Sequence, residues 1–399
     1  MCFRSIAFPR IDYIGGISSR EQPFPGRTTP VFDGAHGPPY QGKWYGKAPL
    51  LTRRILQVGL DEAGYAPTLG PLVVTRVRLE RPAAPPDLYE RLSGLVSRKR
   101  AGRAGRGPAP LHVTDSKKVH NSSRGVAALE RSILPFLRVA LAGVEGRAEA
   151  DGLTDLGLAG ALSGGGVDIR GLDWYAGAPE ALPVAADPCD VDASSERLAG
   201  ALGSAGLSGL DIRSRVVTAR ELNLAIAGGL NKAEFLVEVV AGLIAPLPGE
   251  LAPARDAGTA PPPETPREAT VLVDRMGGRR DYRALLGLAF PGASTRELSR
   301  GERLSSYSVE GPAGEAAWRC GVTFACGAED TCMTVALASM VSKYVRELLM
   351  ARLNRWFAAR IPGLEATAGY PVDARRFLRD TAALRECGTV ADDAFIRAR

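Results

Sequence analysis

An α/β fold with a mixed β-sheet is what this 399-residue chain predicts, on two observations. Short apolar runs alternate with helical patterns along most of its length, and two of those runs lie close enough at the start to pair as a hairpin. Residues 1–50 hold seven Pro and many Gly without a sustained period, and read as a poorly ordered extension. The folded domain is expected over 51–390. Ile55–Leu60 is a short apolar strand and Leu72–Leu79 a second, alternating one, with the turn-rich stretch 61–71 between them. Arg98, Lys99, Arg100, Arg103 and Arg106 make 98–110 a basic insertion with the composition of a solvated loop. Asn121-Ser122-Ser123 offers an N-cap to a helix running through Leu129, Ile133, Leu134 and Leu137. Residues 146–210, rich in Gly, Ala and Asp, have weak periodicity and read as an inserted subregion.

A strand ends at Val216-Val217, and a helical pattern follows over Leu222–Ile244, broken early by Gly228-Gly229. Residues 245–268 are a Pro-rich linker, and Thr270–Asp274 is a buried-type strand. Extended runs around 303–309 and 317–325 lead into a long helix of about 330–359, and a last helix is expected over Asp373–Glu386. No internal repeat is present.

Composition narrows the function classes. The chain is 45% hydrophobic and 24% charged, which are globular values. No apolar run is long enough to span a membrane, and the N-terminal stretch lacks the apolar core of a signal peptide, so the expected address is cytoplasmic. Six Cys form no C-x-x-C pair, which argues against a zinc site or a disulfide scaffold. Cys320, Cys326 and Cys332, six residues apart, read as small fillers around one strand and helix. Three His without ligand spacing leave acid–base chemistry to carboxylates. The net charge is +6, but residues 1–54 carry eight basic and three acidic residues, so the remainder stands near neutrality. The charge balance is therefore weak evidence for a nucleic-acid partner.

Three carboxylate positions stand out. Asp61-Glu62 directly follows an apolar strand, Asp274 ends another, and Glu347 shares a helix face with Ser339 and Lys343. Strand-end carboxylates that point into one cleft repel one another, and a divalent cation would hold them together. Oxygen donors without His or Cys suit Mg²⁺ or Mn²⁺. Taken singly, each such position is more often a turn or cap residue.

The local wording is more specific. Gly59-Leu60-Asp61-Glu62-Ala63-Gly64, with Pro67 and Gly70-Pro71, resembles the first motif of the type 2 ribonucleases H, the HII and HIII branches. Thr114-Asp115-Ser116-Lys117-Lys118 resembles the second, Val271-Leu272-Val273-Asp274 the strand of the third carboxylate, and Ala338–Glu347 the helix of the fourth. Gly369-Tyr370-Pro371 resembles the downstream Gly-Tyr. All five fall in the family's order. The resemblance implies a ribonuclease H-like mixed sheet flanked by helices, here with large insertions. It also implies two-metal endonucleolytic cleavage of RNA within RNA–DNA hybrids, or at ribonucleotides embedded in DNA.

By the same resemblance, Asp61, Glu62, Asp274 and Glu347 would be catalytic and metal-binding. Gly64, Tyr65, Ala66, Ser116, Lys117, Lys343 and Tyr370 would meet the substrate. Glu at the fourth place looks like the HIII branch, as do Leu222-Asn223 and Leu230-Asn231-Lys232 more loosely. The chain departs from the HII pattern at Gly64-Tyr65-Ala66, where Gly-Arg-Gly senses the ribose 2′-hydroxyl, and at Gly277–Arg280. It also lacks basic residues at Ala366-Thr367-Ala368. Two other readings stay open: a nuclease of this fold with altered substrate specificity, and a non-catalytic nucleic-acid-binding protein. The chain is expected to act as a monomer, away from membranes.

Overall fold

Alternation along one strand organises the molecule. Strand β1 (Arg54–Ala63) sends Leu56, Val58 and Leu60 to one face of the sheet and Gly59 and Asp61 to the other. In the computed structural model, residues 53–100, 109–120, 125–142, 153–164, 167–169, 171–251, 268–312 and 317–398 are described. They belong to one unit, Ala48–Arg399. The expected extension over 1–50, the centre of the basic loop at 98–110 and most of the Pro-rich linker at 245–268 lie outside the described residues.

β2 (Leu72–Pro82) pairs antiparallel with β1, which makes the expected hairpin. Helix α1 (Ala127–Ala142), α2 (Asp155–Leu162) and α3 (Pro188–Ser204) precede β3 (Ser208–Val217). The helical pattern over 222–244 is two helices, α4 (Ala219–Ala227) and α5 (Lys232–Ile244). They are separated at Gly229, whose φ is +101°. β4 (Glu268–Asp274) is the expected buried strand. α6 (Arg283–Ala289) and β5 (Ser294–Arg300) follow, then β6 (Leu304–Glu310), β7 (Arg319–Ala325) and the long α7 (Met333–Ala358). The expected last helix is α8 (Pro371–Asp380) and a separate turn, Ala382–Glu386. The Thr381 hydroxyl donates to the Phe377 carbonyl (2.7 Å) and marks the break.

The seven strands run in the order β3-β2-β1-β4-β7-β6-β5. β1, β4 and β7 are parallel and the remaining pairs antiparallel. One apolar core, holding α1, α3 and α7, covers one face, and a second, holding α5 and α6, covers the other. The fold is therefore a mixed sheet flanked by helices. Both edge strands carry charge: β3 has Asp211, Arg213 and Arg215, and β5 has Arg296, Glu297 and Arg300.

Within the expected insertion at 146–210, the described residues (153–164, 167–169 and 171–210) hold more regular structure than the periodicity suggests. Thr154 caps α2 by accepting from Gly157 N–H (3.1 Å), and Asp187 caps α3 ahead of Pro188. Two buried polar groups then anchor it. Glu130 accepts from the N–H groups of Val184 (2.7 Å), Ala185 (2.9 Å) and Ala186 (2.8 Å), and from the Tyr344 hydroxyl (2.8 Å). Arg352 pairs with Asp155 at 2.7 Å and donates to the carbonyls of Ala176, Gly177 and Ala178. The cysteine spacing has no common role: Cys320 is buried, Cys326 is exposed and Cys332 is half-buried. No helix among the described residues is long and apolar enough to cross a membrane.

Candidate active site

The site grows from the C-terminal ends of two neighbouring parallel strands. Their last pair is Leu60–Val273, so Asp61 and Asp274 are the next residues on each. Asp61 shares its strand face with Gly59. A Cβ built on Gly59 would lie 2.3 Å from the Val335 amide nitrogen, so the missing side chain lets α7 lie against the strand. Two serines one turn apart on α7 meet Asp61 there. The Ser342 hydroxyl donates to the Asp61 backbone carbonyl (3.1 Å) and lies 2.7 Å from the Thr75 hydroxyl. Ser339 faces the Asp61 carboxyl and donates to Ser116 Oγ (3.1 Å). The Asp61 carboxyl also accepts from the Glu62 N–H (2.7 Å).

The electrostatics brings three of the expected carboxylates together. Burial raises Asp61 well above the usual carboxylate range, and the charges of Glu62 and Asp274 push it further. Burial, then Asp274, raises Glu62 to about 7, while Lys117 opposes the shift. A fourth member was not expected from sequence. Glu329, on the turn Ala328–Asp330 just before α7, is raised to about 7 by burial and by the Asp274 and Asp115 charges. Its backbone neighbour, the Ala328 N–H, donates to Asp274 (3.2 Å). The available signal was an acidic pair, Glu329-Asp330, ahead of a long helix, which also reads as ordinary N-terminal helix charge.

Glu347 is engaged by its own helix. Its carboxylate pairs with Lys343 at 2.5 Å, one helical turn away, with Arg346 at 3.9 Å. The half-buried His120 faces the same pair.

The substrate-facing residues are distributed around these groups. Asp115 caps the turn Ser116–Val119 by accepting from the Lys117 N–H (2.9 Å). Ser116 is buried and Lys117 exposed, while Lys118 pairs with Asp330 and ties this turn to the Glu329 turn. Gly64 has φ +89°, and a Cβ there would lie 2.6 Å from both Arg346 Nε and the Pro71 carbonyl oxygen; glycine is required on both counts. The Tyr65 ring sits 4.8 Å from Lys232 Nζ. Burial and Glu62 raise its phenol, while Arg279 opposes the shift. Ala66 is exposed beside it. Tyr370 is 47% exposed, with the Arg346 guanidinium 5.9 Å from its ring centre. Of the HIII-like positions, Asn231 caps α5 and Lys232 reaches Tyr65. Arg279 and Lys232, singled out in the sequence but not among the expected substrate contacts, both act on Tyr65.

The donor set is all oxygen, which suits a hard divalent cation. Glu329 Oε2 is buried with no hydrogen-bond partner among the described residues, as a vacant ligand atom would be. Geometrically, no group of three or more His, Cys, Asp or Glu side chains among the described residues is arranged to hold a metal ion. Glu347, the fourth expected ligand, is held by Lys343.

No protein-family model matches the chain, and no curated protein is similar to it in sequence. Solved structures of similar shape include that of the PCNA:RNase HII complex from Archaeoglobus fulgidus, at 15% identity and TM-score 0.35, covering 86% of this chain and 95% of that one. The ribonuclease H2 from Pyrococcus horikoshii OT3 matches at 15% identity and TM-score 0.33, covering 86% and 92%. Bst-RNase HIII in complex with Mn²⁺ matches at 14% identity and TM-score 0.34, covering 87% and 67%.

Proposed function

We propose that the chain is a divalent-metal-dependent endonuclease that hydrolyses the RNA strand of RNA–DNA hybrids, or cuts at ribonucleotides embedded in DNA. The observation that carries this reading is the raising of Asp61 and Glu62 by burial and by the nearby Asp274 charge, at the ends of adjacent parallel strands. Like charges buried together are costly, and a cation offsets that cost. Asp61, Glu62 and Asp274 would hold Mg²⁺ or Mn²⁺ ions, with Glu347 completing the set. Such ions supply an activated water and stabilise the leaving oxygen. The chain's own groups bind and orient. Ser339 and the Glu62 N–H steady the Asp61 carboxyl, Lys117 offers an exposed ammonium to a phosphate, and Tyr65 and Tyr370 present ring faces to the sugars. Lys343 would meet the backbone of the same strand once released from Glu347.

The test is incubation of the purified chain with labelled hybrid, single-stranded RNA and DNA duplex, in Mg²⁺ and in Mn²⁺. Hybrid cleavage that Asp61→Asn and Asp274→Asn abolish is the expected result. Failure to cut any substrate, or equal cutting by Asp61→Asn, removes the reading.

A second reading, altered specificity within the same chemistry, is favoured by one observation. Tyr65, flanked by Lys232, stands where the resembled HII motif has Arg, so the bidentate fork is gone. Equal cutting of hybrid and DNA duplex would select it. A non-catalytic binding protein would instead show no Mn²⁺ binding by calorimetry, or binding indifferent to Asp274→Asn.

A further inference from the structure

The last described residues pack beneath the loop that carries Gly64, Tyr65 and Ala66. Ile396 bridges Leu69 in antiparallel fashion, and the Arg397 N–H donates to the Thr68 carbonyl (3.0 Å). The Arg397 side chain then enters the concave side of the loop. Its Nε donates to the Gly70 carbonyl (2.7 Å), and its Nη1 donates to the Pro67 carbonyl (3.3 Å) and to that of Gly64. The residue is 3% exposed, and no carboxylate pairs with it among the described residues. Asn223 holds this segment from behind. Its Nδ2 donates to the carbonyls of Asp393 (2.7 Å) and Ile396 (2.6 Å), and its Oδ1 accepts from the Ala398 N–H (2.7 Å).

A buried guanidinium without an acid partner is costly to retain for stability alone. What it does here is geometric. The guanidinium is a rigid planar fork of donors, so three carbonyls gathered on it fix three peptide planes of one loop. In a trans peptide the carbonyl and the following N–H point in opposite directions. Anchoring the Gly64 carbonyl therefore turns the Tyr65 N–H away from Arg397.

We propose that Arg397 is a positioning residue for substrate discrimination: it sets the backbone of Gly64-Tyr65-Ala66 so that the Tyr65 amide and phenol read ribose against deoxyribose. This rests on the nuclease reading above, and Arg397 itself touches no substrate. Asn223 acts one step further back, by seating the segment that carries Arg397.

The experiment uses the full chain and three variants. Arg397→Met keeps the stem and loses the donors, Arg397→Lys keeps a charge without the fork, and Asn223→Ala loosens the seat without touching the loop. Two readouts are taken: amide hydrogen exchange over residues 65–69, and kcat and KM on a hybrid and on the DNA duplex of the same sequence. Arg397→Met is expected to speed loop exchange and lower kcat on the hybrid by about tenfold or more, as small misplacements do. KM and Mn²⁺ affinity should change little, and the hybrid-to-DNA ratio should collapse. Arg397→Lys and Asn223→Ala should follow in the same direction with smaller effects, and Asn223→Ala decides alone if the Met variant does not fold. Faster loop exchange with an unchanged hybrid-to-DNA ratio overturns the proposal, because Arg397 would then only pack. A wild-type chain that cuts nothing removes the nuclease reading and this proposal with it, an outcome distinct from cutting that the variants leave unaltered.

Discussion

Glu62 titrates in an unusual window. Its carboxyl stands at about 7 in the folded chain against an ordinary 4.5, so between those values the folded state holds more protons than the unfolded one. Its contribution to stability therefore falls as pH rises from 4.5 to 7 and is constant above. In chelator, Glu62→Gln should gain on wild type across that window, by on the order of 1–3 kcal/mol. Denaturant unfolding at several pH values measures it, and a pH-independent difference would count against the electrostatic account. Added Mn²⁺ should reverse the order, since the amide is the poorer ligand. At this scale Asp61, Glu62 and Asp274 were legible, because a carboxylate ending an apolar strand is conspicuous and the motif wording agreed. Glu329 and Arg397 were not. Each reaches the site only through tertiary packing, one from a turn of three residues and the other from a tail that bridges a distant loop.

The contact between β1 and α7 makes the clearest demand among the elements. Gly59→Ala places a methyl carbon into the backbone of α7 at Val335, so strand and helix must part. The expected loss is about 1–3 kcal/mol or more, read by denaturant unfolding, together with a weakened grip of Ser339 and Ser342 on Asp61. A wild-type midpoint would show that the strand and helix can separate without cost. Glu130 makes a different demand. Its carboxylate serves four donors, so Glu130→Ala leaves the buried Ala186 N–H and Tyr344 hydroxyl without their partner and frees the half-buried N–H groups of Val184 and Ala185. The expected loss is about 3–5 kcal/mol, with protease cleavage appearing first around 183–187. These anchors also explain why 146–210 read as a loosely patterned insertion. Its described residues are held by polar partners on α1 and α7, far away in sequence, and by buried side chains such as Leu158, Trp174 and Leu198, whose spacing gives no single sustained period. Strand β5 was missed for a related reason: Ser294–Arg300 is largely exposed and shows no apolar alternation. β1, β2, β4 and α7, buried on the sheet or in the core, were readable because burial on a regular element leaves a periodic trace.

Charge acts on the molecule as a whole. Of the net +6, all but about one unit belongs to residues 1–54, leaving residues 55–399, which hold the candidate site, close to neutral. A duplex held by many phosphate contacts loses about 10³–10⁵ in affinity between 50 and 200 mM salt. Here the loss should be smaller, below about a hundredfold by the same slope relation, and fluorescence anisotropy with a labelled hybrid across that range checks it. A steep slope would mean that the N-terminal basic residues engage the duplex.

The charged margins of the sheet have a consequence for how the molecule behaves in company. A strand left open at an edge can serve as a template for a second copy. Asp211, Arg213 and Arg215 on β3, and Glu297 and Arg300 on β5, form ion pairs that an incoming strand would have to strip of water or break. Aggregation by edge-to-edge growth is thereby discouraged at both ends. Replacing Arg213 and Arg215 with valine should produce concentration-dependent light scattering from a folded chain, and with it a loss of the solubility that those charged edges protect.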